Sequence, residues 1–165
     1  MKWNYQKSKL IVALITIGVS VFLFFSFNSH WTHGATDQSE IINGANNYLN
    51  THNTFGGIGA QVSEFFIRNL GIASYLLVSL MLLFTSKLLF RVKQINTLSI
   101  IIQHLFLAIW IPLFCSQMTN INLSGKMGLD MAEKLSTLIG GSGITLLLIV
   151  SLLIFLISIF NINSP

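Results

Sequence analysis

The sequence predicts an all-α integral membrane fold, with four transmembrane helices and two short amphipathic interfacial helices, and three observations lead to it. Hydrophobic residues make up 53% of the chain and charged residues 8%, against roughly 25% charged residues in soluble domains. That is too little charge to clothe a water-soluble surface. Four apolar runs approach the ~20 residues that a helix needs to cross the hydrocarbon core. A glycine pattern is stated twice, as Gly56-x-x-Gly59 followed by Gly71 and as Gly125-x-x-Gly128 followed by Gly140. In both copies the third glycine stands twelve positions after the second, an acid (Glu64, Glu133) stands five positions after it, and an apolar run follows. The unit reads as a glycine turn, an amphipathic helix, a glycine hinge and a span, which makes the chain a duplicated membrane module.

The elements follow in order within a single anchor domain, residues 1–165. The spans are expected at about 10–27, 71–90, 98–115 and 144–160, with external segments at about 28–70 and 116–143. In lipid each span must bond its own backbone groups, so each is a helix. The first run is too long for a signal-peptide core, and Asn28-Ser29-His30-Trp31 offers no small-x-small cleavage site, so it is read as an uncleaved anchor. Residues 29–58 are polar, rich in Asn, Thr and His, and read as an external loop. From Ala60 to Leu70 the apolar residues Val62, Phe65, Phe66 and Leu70 fall near helical spacing, with Gln61, Glu64 and Arg68 opposite, as in an interfacial helix. In the second copy Met131, Leu135, Leu138 and Ile139 form the apolar side, and Asp130 and Lys134 repeat the i,i+4 pair of Glu64 and Arg68. Pro112 should kink the third span or end its regular part about one turn before the exit, and Trp110 fits an interfacial anchor.

Gly71 and Gly140 lie where a helix along the membrane must turn into one that crosses it, a position that favours a residue without Cβ. Small residues continue beyond them, Ala73 and Ser74 in one copy and Gly141, Ser142, Gly143 and Thr145 in the other. Small residues let helices approach closely, which is how spans associate in lipid. Gly71, Ala73, Ser74, Gly140, Gly141 and Gly143 are therefore the candidate hinge and helix-packing residues.

Orientation follows from Lys and Arg near the span ends. Lys2, Lys7 and Lys9 precede the first span, and Lys87, Arg91 and Lys93 surround the turn between the second and third. The other side carries Arg68, Lys126 and Lys134 with all five acids, Asp37, Glu40, Glu64, Asp130 and Glu133. Both termini are thus expected in the cytoplasm.

Candidate chemistry is sparse. His30-x-x-His33 with Asp37 imitates a metal site, yet the bland reading of exposed loop histidines is preferred. His104 lies inside a span, where a polar residue invites a functional reading. With no acid in any of the four spans, it is expected to bond a backbone carbonyl or a Ser of a neighbouring helix. Gly125-Lys126 has Asn120 where a phosphate-binding loop needs its first glycine and Met127 where it needs Ser or Thr, so no nucleotide site is expected. The net charge of +4 comes largely from membrane-flanking residues and predicts no direct contact with nucleic acid. The single Cys115 cannot form an intramolecular disulfide and reads as a small buried hydrophobe. No nucleophile arrangement is present, and the chain itself is not expected to be an enzyme or to hold a cofactor or metal.

Several motifs carry a resemblance. The run Gly56-Gly57-Ile58-Gly59-Ala60-Gln61-Val62-Ser63-Glu64-Phe65-Phe66, then Leu70-Gly71-Ile72-Ala73-Ser74-Tyr75-Leu76-Leu77, resembles the four-span N-terminal domain of FtsK/SpoIIIE-type DNA translocases. That domain has a Gly-rich opening, an "ALSDFLF"-like helix and a "GxxAY" step into its second span. Gly140-Gly141-Ser142-Gly143-Ile144-Thr145-Leu146-Leu147 resembles the "GxxGtLLL" start of its last span. Trp31-x-x-x-Ala35-Thr36-Asp37-Gln38-Ser39 resembles the "TWxxDQS" segment of members from Bacteroidetes-like bacteria. Val78-Ser79 stands where a proline often follows the "AYLL" step, and the family's linker and RecA-like motor do not follow Pro165. The resemblance implies an anchor and oligomerisation domain in the bacterial inner membrane at the division septum, acting in cell division and chromosome segregation. It also implies an ATP- and Mg-dependent motor outside this chain, so that DNA is met only through that motor. The implied partners are the lipid bilayer, further copies of the chain and other division-site membrane proteins, with the loop Trp31–Phe55 as the contact surface and Trp31, Asp37, Gln38, Glu64 and Glu133 as its candidate residues. A small transporter or channel subunit and a stand-alone membrane adaptor are the alternatives.

Overall fold

The computed structural model describes residues 2–42, 51–90, 96–118 and 121–160. Arg91 and Lys93 of the orientation argument and residues 43–50 of the first external segment lie outside these. The elements are α1 (Lys2–Ile42), α2 (Gly56–Leu70), a 3-10 turn (Gly71–Ser74), α3 (Tyr75–Phe90), α4 (Thr97–Ser116) and α5 (Ile121–Phe160). The described chain is all-helical, and four of its helical stretches are long and apolar enough to cross a membrane.

Two elements differ from the sequence expectation. Residues 28–42, read as loop, continue α1 without a break. The apolar run ends at Phe27, so about 22 Å of helix extends beyond it at ~1.5 Å per residue. No Pro or β-branched cluster interrupts the backbone there, and residues 51–55 fold back to supply polar partners. In α4, Pro112 does not end the helix, which continues to Ser116. Pro112 is buried where Gly128 of α5 leaves room against its carbonyl, and a Cβ on Gly128 would stand 2.7 Å from the Pro112 carbonyl carbon.

The long α5 is interrupted at Gly125 (φ 62°, ψ 173°) and Gly140 (φ 70°, ψ 169°). These dihedrals belong to a region open essentially to glycine alone. Gly56 (φ 61°) and Gly71 (φ 59°) take positive φ at the corresponding points of the first copy. The two copies are offset by 69 positions, which pairs Gly56 with Gly125 and Gly71 with Gly140. Gly59 and Gly128 also match in role. A Cβ on Gly59 would stand 3.0 Å from Ser26 Oγ of α1, as one on Gly128 would crowd Pro112 of α4. Each module is therefore a span (α1 or α4) against which a second helix (α2 or 126–139) packs through a glycine before a bend and the next span.

The cores confirm two packed units. Leu23, Phe27, Ile67 and Val78 form one cluster, with Phe22, Val62, Phe66, Tyr75, Leu77 and Met81 around it. Leu113, Ile144 and Leu148 form the other, bordered by Trp110, Met131, Ala132 and Leu135. Much of the remaining apolar surface is exposed, as expected where lipid and not water is the solvent. Serines and threonines within the helices return their hydroxyl protons to carbonyls three or four residues back, as Thr16 does to Val12 (2.8 Å) and Thr85 to Met81 (2.9 Å).

Candidate functional site

The junction between the modules is built from backbone. Asn69, in the last turn of α2, lies directly against Gly125, where the next amphipathic helix starts. A Cβ on Gly71 would stand 2.6 Å from the Leu123 carbonyl carbon and 2.7 Å from Gly125 N. A Cβ on Gly125 would stand 2.6 Å from Asn69 O and would also collide with Gly71 N. Ala73 and Ser74 are buried beside this contact, and the Ser74 hydroxyl donates to Gly71 O at 2.8 Å. The 3-10 turn thus sits between α4 and α5, and the carbonyl end of α2 meets the amide end of 126–139, an arrangement the two helix dipoles favour.

The matching positions of the second copy are open. A Cβ on Gly140 or Gly141 would meet nothing within 4 Å, and Gly143 faces only Ile139 of its own turn. The six expected packing residues therefore divide into three that are engaged inside the chain and three at its edge.

A polar ledge lies over the junction. Asp37 Oδ1 accepts from His52 N at 2.7 Å, and Ser29 Oγ accepts from Thr54 N at 3.1 Å. Asn53 Nδ2 donates to Ser26 O (3.1 Å) and Ser63 Oγ (3.4 Å), while its Oδ1 accepts from Phe55 N (3.1 Å), fixing the turn that starts α2. Gln38 Nε2 donates to Glu64 Oε1 at 3.0 Å. Arg68 lies 3.5 Å and His30 3.9 Å from the same carboxylate, which gives the acid a cation on one side and an imidazole on the other. Trp31 Nε1 donates to the Tyr75 hydroxyl at 3.1 Å, tying α1 to α3. A cleft of about 540 Å³ opens between the modules here, lined by His30, Trp31, Gln38, Glu64, Arg68 and Lys126 among others.

This geometry alters the expected partner surface. Asp37 and Glu64 are turned inward, because the extension of α1 lays Asp37 against His52 and brings Gln38 and His30 beside Glu64 of α2. Trp31 and Glu133 are exposed, and Gln38 is half-buried. The Asp130 and Lys134 pair expected to repeat Glu64 and Arg68 is exposed on 126–139. The side of α2 that meets α1 is made of Gly59, Ala60, Ser63 and Ile67, while Phe65 projects outward. Sequence reasoning missed this small-residue face; the i, i+4, i+8 spacing of Gly59, Ser63 and Ile67 was its available signal. In the second copy Met131 and Leu135 pack inward, and Leu138 and Ile139 are exposed.

The remaining candidates are structural. His104 Nδ1 contacts Ile100 O at 2.9 Å and Nε2 contacts Ser79 Oγ at 3.0 Å, so the ring links α4 to α3. Trp110, expected as an interfacial anchor, donates Nε1–H to Leu148 O of α5 at 3.2 Å and stacks on Phe114. Cys115 is buried. His30, His33 and Asp37 engage Glu64, Thr32 and His52 separately, and among the described residues no three His, Cys, Asp or Glu side chains gather as a metal site would require. The ledge and junction thus offer surfaces for holding and positioning.

Neither a curated protein nor a solved structure matches the chain. The family model described as the 4TM region of DNA translocase FtsK/SpoIIIE matches residues 7–164, and the chain belongs to that family of membrane domains.

Proposed function

We propose that this chain is the membrane anchor and oligomerisation domain of a septal DNA translocase that serves cell division and chromosome segregation. The observation that carries the reading is the family match over residues 7–164, on a chain whose four long apolar helices are organised as two packed modules. The ATP-driven motor of such a translocase lies beyond this chain, and DNA is met through that motor alone.

The domain acts by position. Spans hold the protein in the inner membrane, both termini lie in the cytoplasm, and α2 and 126–139 run along the outer surface. The polar ledge faces the division-site partners, with Trp31 at its exposed edge. Confining motors to one membrane patch raises their effective concentration, so that ring assembly needs little affinity per contact.

The test is an immunoblot of source membranes with an antibody against Trp31–Phe55, joined to imaging of a fluorescent fusion at native expression. A band several times larger than 18.4 kDa and fluorescence at the septum are expected. A band at that mass with fluorescence around the whole envelope refutes the reading and favours a stand-alone adaptor or a transporter subunit, which a proteoliposome flux assay then separates.

A further inference from the structure

The internal junction is directional. The first module contributes its trailing edge, Asn69 to Ser74, and the second contributes its leading edge, Leu123 to Gly125. Each module has both edges, so two remain unused in one chain. The unused trailing edge is Leu138 to Gly143, where Gly140 has a positive φ like that of Gly71 with open space in place of the neighbouring carbonyl. Ala73 and Ser74 are 2% and 0% exposed, whereas their matches are exposed at Ser142 and half-buried at Gly143. The unused leading edge is Thr54 to Gly56. There Gly56 has the positive φ of Gly125, and a Cβ on it would meet nothing described within 4 Å. Both free edges are apolar: Leu138 is 78%, Ile58 71% and Phe55 42% exposed.

We propose that the trailing edge of one protomer docks on the leading edge of a second copy, repeating between chains the contact that Gly71 makes with Gly125 within the chain. Leu138 takes the place of Asn69, Gly140 that of Gly71, and Thr54 to Gly56 of the second copy that of Leu123 to Gly125. The partner is a second copy because the seat is already filled, inside each chain, by a module of the same design. The contact is heterologous, so it propagates from chain to chain and closes into a ring or runs on as a row. It also aligns α2 and 126–139 of successive protomers carbonyl end to amide end. This inference rests on the oligomerisation reading above and adds which surfaces meet.

The test uses the full native polypeptide in its own membranes, with Cys115→Ser as background. Leu138→Cys and Thr54→Cys are made singly and together, and oxidised mildly, because a disulfide needs Cα atoms within about 7 Å. The double variant is expected to give a ladder of dimer, trimer and higher species, and each single variant only monomer. Gly141→Leu is added to the double variant. Gly141 has open space and no positive φ, so the larger side chain fits the isolated chain and should collapse the ladder to monomer. A parallel mass measurement on the unaltered protein in nanodiscs separates the two levels of the argument. Oligomers that give no ladder and survive Gly141→Leu overturn this surface assignment and leave oligomerisation standing. A dimer from Leu138→Cys alone overturns the head-to-tail geometry in favour of a two-fold contact. Monomers at every concentration overturn both, with lipid covering the two edges.

Discussion

Replacing Gly71 by alanine asks how much the module junction contributes. The residue has φ 59° and ψ −140°, and an L residue held in such a region costs about 1–3 kcal/mol. The added Cβ also meets the Leu123 carbonyl carbon at 2.6 Å and Gly125 N at 2.7 Å. Both are backbone atoms that cannot rotate away, and overpacking of this kind adds about 1–3 kcal/mol. Gly71→Ala should therefore lose about 2–6 kcal/mol by summing the two terms. Gly140→Ala is the internal control. It has a similar bend, φ 70° and ψ 169°, and no atom within 4 Å, so only the dihedral cost of about 1–3 kcal/mol applies. Unfolding by SDS titration in mixed micelles, at a dilution where the protein is monomeric, reads both variants. Tryptophan fluorescence follows the transition, because Trp31 reports the bond from α1 to Tyr75 and Trp110 the contact of α4 with α5. Equal losses in the two variants would refute the claim that Gly71 holds the modules together.

Three further outcomes are expected from the same titration. Trp31→Phe keeps the apolar body and removes the bond to the Tyr75 hydroxyl, so stability should fall by about 0.5–1.5 kcal/mol; no change would mean the bond does not tie α1 to α3. Asn53→Ala should cost more, about 1–3 kcal/mol, because it strips partners from Ser26 O and Phe55 N in a buried corner. His104→Leu should lose about 0.6 kcal/mol, the average for hydrogen bonds between spans, and at most about 1.7 kcal/mol, while leaving the proposed recruitment to the septum intact. Loss of a cellular function without loss of stability would instead give His104 a role in transport.

The duplication was readable because glycines at backbone bends cannot be replaced freely, so the spacing of Gly56, Gly59 and Gly71 survives in Gly125, Gly128 and Gly140. The spans were readable because lipid leaves little choice in composition or backbone bonding. The continuation of α1 to Ile42 was hidden by its polarity. Residues 28–38 look like loop by composition, and their helix is held by His52 and Thr54, which lie 15 and 25 positions beyond the residues they bond. The inward turn of Asp37 and Glu64 was hidden for the same reason, since charge suggests exposure until the partners Gln38, Arg68 and His52 N are located. The bond of Trp110 to Leu148 O was not legible, because an indole near a span end carries no mark of which carbonyl on a neighbouring helix it will reach.

The seat made by Gly71 carries a consequence for biogenesis. It is complete once α1 to α3 have entered the membrane, yet Leu123 to Gly125 emerge about fifty residues later, roughly 3–10 s at ~5–20 residues per second. During that interval a half-made chain displays a vacant seat to its surroundings, and the second module of a neighbour emerging at the same time fits it as well as its own. Crowded synthesis at one patch of membrane should then yield exchanged pairs, each chain holding the other's second module, whereas sparse synthesis yields self-contained chains. Cysteines placed at Asn69 in one tagged copy and at Leu123 in another, with Cys115→Ser as background, would trap the exchanged form as a mixed disulfide whose yield rises with expression rate. The order in which the chain is made thus becomes one determinant of which molecules end up joined.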